Sequence, residues 1–404
     1  MKIAIIGGGA AGFFAAITCA ETNPACQVTI FERGKSVLEK VRVSGGGRCN
    51  VTHACFDARE LVKHYPRGSR ELLGPFMQFG PRDTVEWFEQ RGVLLKAESD
   101  GRMFPTSDDS QTIVDCLTRA AHRAGVLVLT SNRVEKIEAI HGKWRIGAAT
   151  FDKIMVATGS NTPVWEWLQG LGHTIVPPVP SLFTFNTKDT RLRELSGVSI
   201  PAASLRIPGS KLSADGPLLV THWGLSGPAV LRISAWGARD LHQLSYKFPL
   251  EINFLGETKL VEVGELLAAI KLDSSKKTVF SNPAFSLPSR LWQRLVEAAG
   301  IAPDKRWADL GKIDLQQLGA QLARATFQIT GKSTFKEEFV TAGGVMLKEV
   351  NFKTFESRIC PNLFFAGEVL DIDAITGGFN FQAAWTGGYL AGQALASAGE
   401  SALQ

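Results

Sequence analysis

The chain opens on an apolar block. Lys2 to Ile6 is a β-rich run, Gly7-Gly-Gly9-Ala10-Ala11-Gly12 follows it, and Phe13 to Ala20 is apolar on every side. This order predicts a buried strand, a tight turn and a buried helix. A second run, Val28 to Phe31, predicts another strand, and Lys153 to Val156 followed by Ala157-Thr158-Gly159 predicts a third that ends in a turn. Near the far end, Leu363 to Glu368 predicts a buried strand and turn, Asp371 to Gly378 a loop, and Phe379 to Ala396 an apolar helix. Between these blocks the rhythm changes. Short strand-like runs at 203–209, 217–220 and 246–254 are separated by turn residues, as in a barrel or sandwich, and helical patterns follow at 261–270 and 289–299. The pattern therefore predicts an α/β domain split between 1–185 and 335–404. An inserted β-barrel of 186–255 and 326–334 and a helical cap of 256–325 lie between its halves.

Composition narrows the class. At 404 residues the chain is long enough for two or three domains. With 45% hydrophobic and 21% charged residues it has too much apolar material for disorder. Ile3 to Ala20 is an uncharged run long enough to raise the question of a membrane span, and Gly7, Gly8, Gly9 and Gly12 inside it argue for strand, turn and helix instead. Neither a basic leader nor a cleavage site marks a signal peptide, so a cytoplasmic protein with no membrane partner is expected. The six cysteines are irregularly spaced without a CxxC pair, which points to a reducing compartment and to no metal site. A formal net charge of +5, spread along the chain, reads as solvation, and no nucleic-acid partner is expected from it.

The glycine cluster carries the first chemistry. In a strand-turn-helix context Gly7 permits the turn, Gly9 lets backbone approach a pyrophosphate, and Gly12 lets helix and strand pack closely. Glu32 ends the second strand twenty residues after Gly12, where a carboxylate accepts hydrogen bonds from both ribose hydroxyls and repels a 2′-phosphate. The ligand is then the unphosphorylated adenosine half of FAD or NAD. A second glycine-rich stretch, Lys40 to Asn50, contains Ser44-Gly45-Gly46-Gly47-Arg48-Cys49-Asn50, which suits a long extended ligand. The helix that starts after Gly377-Gly378 directs its dipole at whatever lies before it.

With these residues in hand, the chain resembles the BaiN/YhiN family of FAD flavoproteins, which includes aminoacetone oxidase-like proteins and bile-acid dehydro-intermediate reductases. The resemblance runs nearly end to end through GGGAAG (7–12), SGGGRCN (44–50), GRMFP (101–105), THWGLSGP (221–228), TAGGV (341–345) and FFAGEVLD with GGFNFQ (364–382). It implies a Rossmann-type, glutathione-reductase-like FAD-binding domain with the inserted barrel and helical domain. It also implies an FAD-dependent oxidoreductase that transfers a hydride between flavin and a small organic substrate. The implied cofactor residues are Gly7, Gly9, Ala10, Ala11, Gly12, Glu32, Arg33, Lys40, Ser44, Gly45, Gly46, Arg48, Cys49, Asn50, Val134, Ala157, Thr158, Gly159, Gly367, Glu368, Asp371, Gly377, Gly378, Phe379, Asn380 and Gln382. NAD(P)H as a transient electron donor and the substrate itself are both open as sources of electrons. No catalytic acid or base is assigned. His222, Trp165, Trp167 and Trp223 are candidates for the pocket, which is expected where the insertion closes over the flavin.

Two rival functions share the cofactor. A flavin disulfide oxidoreductase would use Cys49 and Cys55, although five residues separate them and no second GxGxxG marks an NADPH domain. A flavin-dependent RNA-modifying or RNA-binding protein would need basic surface. The stretches 63–70 and 191–193 are short and mixed with acids, and they read as solvated faces.

Overall fold

The computed structural model describes residues 1–333 and 340–397. They fall into two compact units, Met1–Val179 with Val340–Gln404, and Pro180–Phe339. The expected boundary between 185 and 186 thus moves to 179 and 180, and the one between 334 and 335 lies outside the described residues.

The first unit is built on β1 (Lys2–Ile6), α1 (Ala10–Thr22), β2 (Gln27–Phe31), β3 (Leu127–Leu129), β4 (Lys153–Val156), β5 (Leu363–Phe365) and α2 (Phe379–Ala396). Its sheet runs in the order 350–351, 356–357, β5, β4, β1, β2, β3, and the last five strands are parallel. Strand β1 sits between β2 and β4, with Ala4 beside Thr29 on one side and Ile154 on the other. A parallel strand covered on both faces reads as an unbroken apolar run, which is why Ile3 to Ile6 show no alternation.

Helices α1 and α2 are apolar all round because they pack on each other as well as on the sheet. Gly388 and Gly392 of α2 lie against α1, where an added Cβ would stand 2.7 Å from Ala11 O and 2.7 Å from Ala15 O respectively. Small residues four apart let the two backbones meet. The far end of α2 is closed by Lys153, whose buried Nζ donates to Ala394 O (2.9 Å) and Ser397 O (2.8 Å).

The second unit is a curled seven-stranded sheet with helices packed on it. The strand order is 325–329, 248–253, 199–206, 213–221, 224–226, 184–186, 331–333. Its two edge strands are consecutive in the chain and are separated only by Thr330, so the sheet closes on itself as a barrel. The helices 260–273, 289–298 and 312–323 share one hydrophobic core with the barrel, joining Val263, Leu267, Trp292 and Leu318 to Leu250, Ile252 and Phe327. The stretch expected as a separate cap is continuous in packing with the barrel.

Candidate cofactor and active site

The turn between β1 and α1 is fixed by its glycines. Gly7 has φ +113°, its N–H donates to Phe31 O (2.9 Å), and a Cβ there would collide with the Ala157 carbonyl. A Cβ on Gly12 would collide with Gly7 O. Gly9 is the opposite case: it caps α1 in extended backbone, no side chain caps the helix, and nothing lies within 4 Å of the place a Cβ would occupy. An uncapped helix N-terminus with its donors facing open space is suited to a pyrophosphate. Ala10 and Ala11 form the first turn.

Glu32 is held ready beside this turn. Its Oε2 accepts from Gly8 N (2.9 Å) and its Oε1 from Gly34 N (2.6 Å), so the carboxylate is oriented by backbone and each oxygen keeps a lone pair for a ligand hydroxyl. Beyond β3, Ser131 N and Asn132 N donate to Gly34 O (2.7 Å) and Glu32 O (2.8 Å), and Val134 two residues later is buried. Arg33 is exposed.

Several other sequence-predicted residues converge on the same edge. Ala11 Cβ lies 3.4 Å from the Cβ position of Gly367, and that of Gly159 lies 3.7 Å from Glu368 Oε2. Glu368 is ion-paired with Lys40. Ala157 is buried, and Thr158 Oγ1 sits 3.5 Å from Gly159 O. The strand of TAGGV runs alongside, with Val345 N on Val369 O (2.9 Å) and Asp371 N on Val345 O (3.2 Å).

The 44–50 loop is a left-handed run. Gly45, Gly46 and Gly47 have φ of +58°, +68° and +83°, and Cys49 joins them at +59°. Ser44 Oγ donates to Val41 O (2.9 Å), and Gly46 and Gly47 have open space where side chains would be. With its amide in the orientation that satisfies both ends, Asn50 accepts from Gly378 N (2.9 Å) and donates to Thr52 O (3.0 Å). The loop is thereby tied to the start of α2, where Gly378 has φ +88° and no side chain caps the helix.

Four predicted side chains turn out to brace the site. Arg48 pairs with Glu98 (2.6 Å) and Asp108 (3.5 Å) and stacks on Phe104 (3.9 Å). Asn380 clamps the preceding loop by exchanging hydrogen bonds with Ala374 N (2.9 Å) and Ala374 O (3.2 Å). Gln382 is fully buried, accepting from Thr52 and Thr84 (3.0 Å) and donating to Thr386 (3.0 Å). Phe379 lies under His64 (4.3 Å) and His53 (4.6 Å), and its carbonyl accepts from Tyr65 Oη (2.6 Å). Gly377 makes room for the Phe379 ring, and Trp165 is buried with Nε1 on Val369 O (3.0 Å), a packing role rather than a stacking one. Trp167 is half-buried, and Trp223 is exposed beside His222.

Sequence reasoning missed the lock on the 371–378 loop. Arg67 makes a two-pronged ion pair with the fully buried Asp373, and Ile375 N donates to His64 O (3.1 Å). Arg67 is only 14% exposed, as is Arg191, which pairs with Asp189 and lies over Phe327 (3.9 Å). In each stretch one arginine is drawn inward, while Lys63, Arg70 and Arg193 are exposed. Asp373 stands in a loop read for Asp371 and its glycines, and no spacing in the sequence links it to Arg67.

The residues fit FAD in two respects, an open helix N-terminus that offers donors to a pyrophosphate and a carboxylate that offers acceptors to ribose hydroxyls. The comparisons with known proteins decide the family. The family described as HI0933-like protein Rossmann domain matches residues 1–394. The chain belongs to this family. It is 30% identical to the 3-dehydro-bile acid delta(4,6)-reductase of Clostridium scindens, over 98% of this chain and 99% of that one. It is 29% identical to the ribosomal RNA dihydrouridine synthase of Haemophilus influenzae, over 95% and 96%. Among solved structures, the 3-ketosteroid-delta4-(5alpha)-dehydrogenase of Rhodococcus jostii RHA1 shares the fold, with a TM-score of 0.52, 14% identity and coverage of 98% and 97%. The protein is an FAD-dependent oxidoreductase with a Rossmann-type cofactor domain.

Family membership leaves the thiols to be judged by their surroundings. Cys49 is fully buried and its thiol is pushed up to about 12 by loss of solvent, so it stays protonated at neutral pH. Cys55 is a free thiol, also raised by burial, with Sγ 3.9 Å from Asp57 O. A protonated buried thiol is a poor nucleophile, which weighs against disulfide exchange. No helix among the described residues is long and apolar enough to cross a membrane.

Proposed function

We propose that this protein is an NAD(P)H-fed flavin reductase of a carbon–carbon double bond conjugated to a carbonyl. The observation that carries the reading is the pair of curated relatives, each matching the chain over at least 95% of its length. Their names describe one reaction type on two scaffolds. A 3-dehydro, delta-4 substrate is an enone, and dihydrouridine is uridine whose base has had its double bond, conjugated to a ring carbonyl, saturated. Such a reduction adds a hydride to the carbon β to the carbonyl and a proton to the α carbon, while NAD(P)H is oxidised. Bound FAD would supply the two-electron hydride chemistry this requires.

The chain's own residues then bind and orient. The amides after Gly9 would receive the pyrophosphate and Glu32 the ribose hydroxyls, and the uncapped start of α2 at Gly378 would favour negative charge on a reduced flavin. The Arg67–Asp373 pair and the Asn380 clamp keep the 371–378 loop in one shape while this happens. The test is product analysis. The holoprotein with NADPH, without oxygen, should convert a 3-keto-4-ene steroid or a uracil-containing RNA to a product two hydrogens heavier. An oxidised product, or consumption of an amine or alcohol with peroxide release, would contradict the reading.

Between the two acceptor classes, charge favours RNA. Residues 180–339 carry 20 Lys and Arg against 15 Asp and Glu, a net of +5, leaving 24 of each sign in the rest of the chain. Averaged over the whole chain this charge reads as solvation; divided between the units, all of it belongs to the insertion.

A further inference from the structure

The outer wall of the barrel holds a cleft of about 560 Å³ whose lining contains none of the residues assigned to the cofactor. Arg206 and Glu251 face each other on neighbouring strands, and Arg324 stands just before the next strand, so both guanidiniums converge on one carboxylate. Glu251 is only 14% exposed, whereas Arg206 and Arg324 are 58% and 62% exposed. Each guanidinium gives Glu251 one nitrogen, Nη2 from Arg206 and Nε from Arg324 (3.5 Å), and keeps its other donors for solvent. Lys259, on the same cleft, makes no side-chain ion pair among the described residues, and Glu257 is the other acid there.

We propose that this cleft is a docking site for the phosphodiester backbone of single-stranded RNA, with Arg206, Arg324 and Lys259 each meeting a phosphate. The proposal rests on the RNA version of the proposed function. Glu251 acts as a brace, since a single carboxylate fixes two fork-shaped donors at a set spacing without cancelling both charges. The exposure of the guanidiniums decides between a small anion and a polymer. One exposed ion pair is worth little in water, so a lone phosphate would not stay. A polyanion releases condensed counterions at each contact and accumulates affinity along its length. The net charge of +5 on this unit, against none on the other, adds the long-range attraction such a partner needs.

Anisotropy of a labelled single-stranded RNA, titrated with the flavin-loaded protein across a salt series, tests the site. The wild type should bind, with affinity falling as salt rises. R206Q with R324Q should weaken binding ~10-fold at low salt and flatten the plot of log affinity against log salt by about 1.4, at ~0.7 per lost phosphate contact. Lys259→Glu, which leaves the Glu251 brace intact, should also weaken binding while flavin content and melting temperature stay as in the wild type. Absence of RNA binding by the wild type, an unchanged salt slope in the variants, or binding to phosphatidylserine vesicles in place of RNA would each overturn the proposal. Reduction of a small enone, measured in parallel, separates the two claims: it survives a failed docking site, and its absence with RNA binding intact fails the reaction alone.

Discussion

The two units of this protein meet their structural demands in different ways. In the cofactor unit the decisive positions are ones where a side chain cannot exist, because Gly7, Gly12, Gly388 and Gly392 are each pressed against backbone. In the insertion the decisive positions are ones where a large side chain must exist, such as Trp292, Trp307 and Phe327 in the shared barrel and helix core. A requirement for glycine is sharp, since one added carbon collides with backbone that cannot move. A requirement for bulk is tolerant, since many apolar residues fill a core about as well. The cofactor half therefore has a legible signature and the insertion has only a rhythm.

The largest effect should come from breaking the glycine side of this contrast. Gly12→Val puts a branched side chain against Gly7 O and should yield insoluble protein, or protein with neither flavin nor a cooperative melt. Soluble, flavin-loaded Gly12→Val would show that the turn yields. On the other side, Trp292→Ala removes a fully buried ring and its Nε1 bond to Val279 O (2.8 Å) and should cost about 3–5 kcal/mol by urea unfolding. Flavin affinity should change little, because the loss lies within the insertion's core. A Trp292→Ala protein of unchanged stability would mean that this core is loosely packed.

Smaller changes sharpen the picture of the cofactor unit. Glu32→Ala should weaken FAD binding by about 1–3 kcal/mol in an equilibrium titration, because it removes the ribose acceptor and frees the amides of Gly8 and Gly34. Unchanged affinity would disprove the assignment. The smallest effect is one of pH. His53 and His173 both have their protonation pushed down, chiefly by burial, and His173 is held between Glu349 (3.1 Å) and Ser357 (3.0 Å). The unfolded chain takes up these protons before the folded one, so stability should fall as pH drops below about 6.5. Urea midpoints at pH 7.5 and 5.5 report this, and His173→Phe should reduce the difference.

How much was legible follows from the same contrast. GGGAAG, the spacing to Glu32 and the paired glycines before α2 each carry a steric or electrostatic reason for their residue type, and in the fold they form an uncapped helix start, a carboxylate held beside it and a second uncapped helix start. Asn380, Gln382 and Arg48 sit in the same motifs but serve as braces, a difference of side-chain direction that residue type does not encode. Arg67 and Asp373 are 306 positions apart and belong to no shared pattern, so only the folded chain brings them together. The Arg206–Glu251–Arg324 group is hidden for a similar reason, because strand register pairs Arg206 with Glu251 and the chain entering the next strand brings Arg324 beside them.

The central claim is that the glycine turn holds FAD, and Gly9→Val tests it most directly. Gly9 has no protein atom within 4 Å of its Cβ position and an extended backbone that valine adopts, so the variant should fold and melt like the wild type. Its side chain would occupy the space assigned to the pyrophosphate. The measurement is flavin occupancy by visible absorbance after purification and after titration with FAD. The account predicts a folded, colourless protein whose FAD affinity has dropped at least ~10-fold, about 1.4 kcal/mol. A folded Gly9→Val protein that is as yellow as the wild type and binds FAD as tightly would contradict it.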